Sequence, residues 1–386
     1  MPPTTVETAR TLPPGHFPGR VTLFSLPEDV PVPHATRADG LVLHAVHRGS
    51  RAAKKLLAVA AALVAAALAL TGCSGAASSG GASSSAPGSP SSGGAYPVSI
   101  ATKFGDVTVA KKPTRVVALG WGDAEVALEL GVQPVGASDW LGFGGSGVGP
   151  WDAAKYTAKP AIIGTLQPNY EQVAALHPDL ILDTRSSGDQ SRYAKLSAIA
   201  PTIDVPKGGG NYLTTTAQQT TMIAAALGEK AKGEALLHQV NAAFTATAAA
   251  HPDWKGTTVT VATRTSDGWG AYTSGDVRVQ FLQRLGFTQS PAIAAMKPNS
   301  TGFSVSISAE QLTLLNADLI VAFPIYIPAT QITGSPEWKT VPAVKAGRDV
   351  IVDGTLSLAY SDGTPGAELY ALQKLVPMIG QTPVGK

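Results

Sequence analysis

The chain of 386 residues holds a single cysteine, Cys73, so no disulfide can form within it and its fold must rest on buried apolar surface. Histidine is scarce where a metal shell would need it. Four of the seven (His16, His34, His44, His47) precede residue 48, which leaves His177, His238 and His251 for the rest. Their spacing does not suggest one coordination shell, which argues against a receptor for a bare metal ion. A formal charge of +2 is too small for a nucleic-acid footprint. There is no G-x-x-x-x-G-K-[ST] loop, so the sequence does not read as a P-loop nucleotide hydrolase. In GFGGSGVG, Val148 stands where the G-x-S-x-G elbow of a serine hydrolase needs its last glycine. Gly120-Trp121-Gly122 opens like a dinucleotide fingerprint, and Asp139 lies about 20 residues on. Glu125 takes the third glycine's place, however, and would bring a carboxylate to the pyrophosphate. No apolar run reaches the roughly 20 residues of a spanning helix.

What the sequence does have is a short apolar run, Leu56 to Leu70, preceded by Arg48, Arg51, Lys54 and Lys55 and closed by Thr71-Gly72-Cys73. Basic flank, apolar stretch and small residues form a secretory signal over 48–72. The ending resembles a bacterial lipobox, in which the cysteine thiol carries diacylglycerol and becomes the first residue after cleavage. The mature chain would then be an extracytoplasmic lipoprotein of roughly 310 residues, or about two domains. The Pro-rich leader 1–47 is either absent from the natural product, which starts near Leu41 to Val46, or a disordered cytoplasmic extension. Residues 73–95 are Ser, Gly, Ala and Pro with nothing to bury, and they predict a flexible tether of about 25 Å reach.

From Tyr96 the pattern is that of a folded protein. VSIATKFGDVTVAKKP alternates like a β-hairpin. RVVALG then runs straight into WGDAEVALELG, a strand followed by a helix with Asp123 as N-cap and Gly131 as its stop, and VQPVGAS forms the next strand. Such units build parallel sheets with helices on both faces, and the functional loops lie at the carboxyl ends of the strands. The unit YEQVAALHPDLILDTR (170–185) returns as AEQLTLLNADLIVAFP (309–324), aligning Glu171 with Glu310 and Asp179 with Asp318. The offset of about 140 residues is the size of a lobe, not of a solenoid repeat. Between the copies, an Ala-, Leu- and Lys-rich stretch predicts one helix over 229–250, ended by Pro252. The expected architecture is α/β: two Rossmann-like lobes with central parallel sheets, at 96–228 and 252–386, joined by a bridging helix at 229–251 that restrains hinge motion.

Taken in order, the RVVALGWGDAEVALELGVQPVGASDW block, EQVAALHPDLIL, LSAIAPTI (196–203) and VPAVKAGRDVIVDG (341–354) resemble the lipid-anchored substrate-binding proteins of bacterial ATP-driven importers for iron–siderophore, haem and cobalamin. The resemblance spans about residues 98–377, and the GWGDAE opening is most similar to the iron–siderophore branch. It implies a non-enzymatic, monomeric receptor that captures a ferric siderophore and delivers it to a permease dimer with its ATPase subunits. It also implies that Glu171 and Glu310, one per lobe, dock against permease arginines; by themselves both read equally as acidic residues favoured in a first helical turn. Candidate ligand contacts on the post-strand loops are Trp121, Trp140, Phe143, Arg185, Arg264, Trp269, Tyr272, Tyr326 and Tyr360. Aromatic faces supply area to a bulky chelate, and guanidinium forks pair with its oxygens. Arg185 and Arg264 are expected to follow equivalent strands and to converge, whereas Trp254 and Trp338, in PDW and PEW contexts, read as packing residues. Iron arrives already chelated, so no metal ligands or cofactor are assigned. Haem or cobalamin as cargo, or a structural surface lipoprotein without cargo, are the alternatives that the residues leave open.

Overall fold

Apolar alternation and β-branched runs become strands in the computed structural model, which describes residues 96–385 apart from Gly144, Thr165 and Thr301. The signal segment, Cys73 and the tether lie outside the described residues. The predicted hairpin is β1 (Val98–Thr102) and β2 (Gly105–Val109), paired antiparallel. The first lobe then forms a five-stranded parallel sheet from β3 (Val116–Ala118), β4 (Gly136–Ser138), β5 (Ala161–Ile163), β6 (Leu180–Asp183) and β7 (Thr202–Asp204), in the order β5-β4-β3-β6-β7. β3 and β6 are buried along their whole length, as central parallel strands covered on both faces must be. The helices of this lobe are α1 (Asp123–Glu129), α2 (Tyr170–Ala175), α3 (Gln190–Ser197) and α4 (Thr216–Leu227).

The start of α1 departs from the sequence reading. Its N-cap is Gly122, at φ 76°, and Asp123 is the first helical residue. The Asp123 carboxylate is taken by other partners. It accepts the N–H of Gly120 (3.1 Å), the N–H of Thr184 (2.9 Å) and the Gln219 amide (2.7 Å), joining the ends of β3 and β6 to α4.

The bridge is α5 (Lys230–Ala250), about 32 Å long at 1.5 Å per residue, and Pro252 opens a 3-10 turn after it. α5 packs on α4 at one end, while its Val240 and Phe244 enter the core of the second lobe.

That lobe contains β8 (Thr258–Thr265), β9 (Gly268–Tyr272), α6 (Val277–Arg284), β10 (Thr288–Gln289), α7 (Pro291–Ala294), β11 (Ser304–Ile307), β12 (Leu319–Pro324), α8 (Thr330–Thr333), α9 (Pro342–Lys345), β13 (Asp349–Ile351), α10 (Gly354–Asp362) and α11 (Pro365–Gly380). Its sheet runs β11-β9-β8-β12-β13, with β10 beside β8. It is mixed rather than all parallel. Only Ser266-Asp267 separate β8 from β9, and so short a link makes an antiparallel hairpin. The second copy of the sequence repeat also differs, because Ala309–Leu315 winds as a 3-10 helix where the first copy forms α2.

The repeat itself has a structural reason. Asp179, before β6, accepts the N–H groups of Thr114 (2.8 Å) and Arg115 (2.8 Å), which lead into β3. Asp318, before β12, accepts the N–H (3.0 Å) and hydroxyl (2.7 Å) of Thr258, the first residue of β8. Each carboxylate ties the amino ends of two adjacent parallel strands. Trp254 and Trp338 are buried, in the packing role that their sequence context suggests.

Candidate ligand cleft

The loops at the carboxyl ends of strands in the first lobe meet the second lobe, and the candidate cleft is taken to lie there. On the first lobe its floor is a run of three rings. Trp121 follows β3, Trp140 follows β4 and Tyr212 follows β7. Trp121 stacks on Trp140 at 4.2 Å between centroids and 5° between planes, and on Tyr212 at 4.0 Å and 21°. Trp121 is buried by its two neighbours, and its Nε1–H has no partner among the described residues. Trp140 Nε1–H reaches across the lobes to Asp362 Oδ1 (3.2 Å). Phe143 is half-buried and meets the edge of Trp151 at 5.6 Å. Its loop is pinned by Asp139, which accepts the N–H groups of Phe143 and Gly145, both at 2.8 Å. On the second lobe Tyr326, just past β12, is 69% exposed and takes a φ of 54°. Arg264 sits half-buried at the end of β8, 5.4 Å above the Trp269 ring, and donates to the Thr265 carbonyl (2.6 Å).

Other predicted contacts lie deeper. Arg185 is only 2% exposed and gives its hydrogens to the carbonyls of Thr214 (2.9 Å), Asp362 (2.5 Å) and Gly363 (3.2 Å). It does not pair with Arg264, and the two share no partner. Arg185 follows β6 while Arg264 lies on β8, and the repeat matches β6 with β12, so the expected equivalence of their strands is corrected. Tyr272 and Tyr360 belong to the core of the second lobe. Tyr272 lies between Phe303 and Phe323 with the Arg278 guanidinium 3.8 Å over its face, and the Tyr360 hydroxyl donates to the Arg278 carbonyl (2.7 Å). Burial pushes the Tyr272 hydroxyl up to about 12. Trp269 is buried parallel to Trp338 at 5.2 Å. These three rings are buried and offer little surface to a ligand. Glu171 and Glu310 are exposed, each in the first turn of the helix that precedes β6 or β12.

The sequence reading missed Tyr212 and a polar junction at the back of the cleft. Tyr212 ends the run Gly208-Gly-Gly-Asn-Tyr212 after β7, at φ 61°, and a glycine-rich segment ending in an aromatic was the available signal. The junction joins α1 to the α10–α11 turn. Glu125 accepts the N–H of Gly149 (2.6 Å), the Trp151 indole N–H (3.0 Å) and contacts the Thr364 hydroxyl (2.5 Å); Glu129 accepts the N–H of Gly366 (2.6 Å). Glu125 therefore does not meet a pyrophosphate but receives the second lobe. Gly122 is part of this fit: a Cβ there would lie 2.5 Å from Thr364 Cγ2. Among the described residues no group of three or more His, Cys, Asp or Glu side chains is arranged to hold a metal ion. None of the described helices is long and apolar enough to cross a membrane.

Residues 116–354 match the family model described as periplasmic binding protein. The chain is 28% identical over 259 residues to the probable siderophore-binding lipoprotein YfiY of Bacillus subtilis, covering 64% of this chain and 76% of that one. It superposes with a TM-score of 0.65 on a periplasmic solute binding protein from Mycobacterium smegmatis, 26% identical, over 74% of this chain and 98% of the other. PiaA of Streptococcus pneumoniae, solved in complex with ferrichrome, superposes with a TM-score of 0.63 and 26% identity, over 73% of this chain and 97% of PiaA.

Proposed function

This chain belongs to the periplasmic binding protein family, and on that premise we propose that it is a lipid-anchored, extracytoplasmic receptor that captures a ferric siderophore and delivers it to an ATP-driven importer. The observation that carries this reading is the Tyr212–Trp121–Trp140 stack at the carboxyl ends of the first sheet, with Tyr326 on the facing lobe. Large aromatic rings bury on the order of 150–250 Å² each, which suits a chelate too wide for a small polar pocket. The guanidinium groups near the cleft are mostly committed to the protein. Arg192 is bound to Asp183 (2.6 Å), Arg278 to Asp276 (2.7 Å) and Arg185 to three carbonyls. This favours a chelate with broad apolar flanks and little net negative charge, such as a ferric trihydroxamate, over a strongly anionic tricatecholate. The similarity to the probable siderophore-binding YfiY supports a siderophore as cargo, and the similarity to PiaA, solved with ferrichrome, supports the hydroxamate kind.

Glu171 and Glu310 are the docking carboxylates of this reading. They are exposed, they occupy matching places before β6 and β12, and charge-assisted bonds to permease arginines would orient both lobes at once. Cys73 is the acylated residue, and two acyl chains at about 0.8 kcal/mol per CH2 hold a protein to a bilayer.

The test uses the six tryptophans, all after Cys73. Residues 74–386 are titrated with ferrichrome, a ferric tricatecholate, haem and cobalamin while intrinsic fluorescence is followed with inner-filter controls. Saturable quenching by ferrichrome in the micromolar range or tighter is the expected result. Saturation by haem or cobalamin alone replaces the cargo, and no saturable response to any of the four overturns the receptor reading.

A further inference from the structure

The junction behind the cleft contains more carboxyl groups than its hydrogen atoms can serve. The Thr364 hydroxyl lies 2.5 Å from Glu125 Oε2 and 2.8 Å from Asp362 Oδ2. A hydroxyl has one hydrogen, so it satisfies one of these oxygens, and the other contact is a bond only if a carboxyl carries a proton. One turn along α1, Glu129 Oε2 and Asp152 Oδ2 are both buried without a donor. A single proton shared between Glu129 and Asp152 would serve both. The two carboxyl systems sit side by side where the lobes meet: Glu125 and Glu129 come from the first lobe, and Asp362, Thr364 and Gly366 from the second. The fit is tight, since a Cβ at Gly366 would come within 2.4 Å of Glu129 Oε1.

We infer that these two carboxyl systems form a proton-dependent clasp that fastens the α10–α11 turn to α1 and loosens as pH rises above neutral. Loosening frees Trp140, whose indole N–H is held by Asp362, and so disturbs the aromatic stack of the cleft. Ionisation of the second carboxyl in either system sets two like charges against each other in a buried site, and the cheapest relief is separation of the lobes.

The surrounding charges agree with this direction. Burial, then the Asp362 and Asp152 carboxylates, raise Glu125 well above the usual carboxylate range; burial and Asp152 push Glu129 up to about 9. Tyr156 faces the same cluster, and burial and the carboxylates raise it too. Two cations oppose: Lys155 ion-pairs with Asp152 from a half-exposed position, and the buried Arg185 attracts the Asp362 carboxylate; the Thr364 hydroxyl and the Gly366 N–H also favour the ionised glutamates. The remaining neighbours are already engaged. Arg185 binds the Asp362 and Gly363 carbonyls, Glu368 binds Arg284 (2.6 Å) and Thr216 (2.7 Å), and Asp123 is held by Thr184 and Gln219. Asp139 is bound to its own loop, Tyr370 packs on Trp151, and Lys232 of α5 binds the Leu130 carbonyl (3.1 Å) and Glu229.

Both glutamates have folded-state values above those of an unfolded chain. The folded protein therefore holds more protons than the unfolded chain; the stability from Glu129 is fully present below about 4.5 and falls as pH rises toward about 9, and Glu125 adds in the same direction. Asp123, pushed up to about 6 by burial, adds to the slope in its lower part.

The clasp is tested on the ligand-free protein, so the result is independent of the cargo assigned above. Melting temperature and tryptophan emission are recorded from pH 5 to 9.5 for the wild type, Glu129→Gln and Asp362→Asn. Each amide supplies a permanent hydrogen, to Asp152 or to Thr364 Oγ1, while its oxygen still accepts from Gly366 or Trp140. The wild type is expected to lose several degrees between pH 6 and 9 with a shift in emission. Each variant should lose about half as much and melt above the wild type at pH 9, and Glu234→Gln on the exposed surface of α5 should follow the wild type. Amide exchange at Gly366, corrected for its intrinsic pH dependence, should accelerate above pH 8 in the wild type and not in Glu129→Gln. Equal pH slopes in wild type and variants, or Gly366 exchange that stays unchanged across the range, would overturn the clasp.

Discussion

Arg185 offers the sharpest separation between supporting the cleft and touching its ligand. Arg185→Ala removes a guanidinium that is 98% buried by the measure of its 2% exposure and that serves three carbonyls, two of them in the second lobe. Each stranded buried acceptor costs about 1–3 kcal/mol, less where water enters the new cavity. Three such acceptors, partly rescued by water, put the total at about 3–5 kcal/mol. In a folded region of this size that lowers the melting temperature by roughly 6–15 °C. Arg185→Lys keeps a charge but loses the planar fork, so it should recover part of the loss and not all of it. The assay is thermal unfolding followed by fluorescence, with the ferrichrome titration repeated well below the new midpoint. The expected pattern is a large drop in melting temperature with binding weakened only modestly. A variant that melts within about 2 °C of the wild type and loses ferrichrome quenching would refute the reasoning, and would make Arg185 a direct contact that the ligand frees from its carbonyls.

Tyr212→Ala should weaken the chelate that quenches by about tenfold, or about 1.4 kcal/mol, since it removes one face of the stack with little loss of core; unchanged affinity would take the stack out of the binding surface. Gly122→Ala places a methyl against Thr364 at a positive φ and should destabilise by about 2 kcal/mol or more, read by denaturant titration; a neutral result would mean that the lobes do not meet there as tightly as described. Glu171→Ala with Glu310→Ala should impair uptake in cells while fluorescence titration of the purified protein is unchanged, and weakened ligand binding in that pair would remove their docking role.

Periodicity made the secondary structure legible where an element's own residues decide it. The hairpin at 98–109, the β3–α1–β4 opening and the helix of 230–250 follow from alternation, helical spacing and stop signals in the stretches themselves. The duplicated Asp179 and Asp318 were visible as a repeat, although their work on Thr114 and Thr258 was not. Reading failed where a partner distant in sequence decides the outcome. Asp123 reads as an N-cap by position, but Thr184, 61 residues on, and Gln219, 96 residues on, claim its carboxylate. Tyr272 and Tyr360 carry the same loop-edge signature as Trp140, and only packing places two of them in a core and the third at a cleft. Glu125 stood out only as the flaw in a nucleotide fingerprint.

By itself the sequence determined the two-lobed α/β plan, the bridging helix and the kinship that goes with them, because hydrophobic period, turn chemistry and the repeat are local properties of a chain. The tertiary structure alone decided which aromatic residues share a stack, which arginine is spent on carbonyls, and that Glu125 and Glu129 meet Asp362, Thr364 and Gly366 across more than 230 residues of sequence. Those contacts depend on how two lobes close upon each other, and burial there changes the chemistry of the groups involved: a carboxyl that is an ordinary surface charge in the extended chain becomes, once enclosed, a group that must find a proton or a donor.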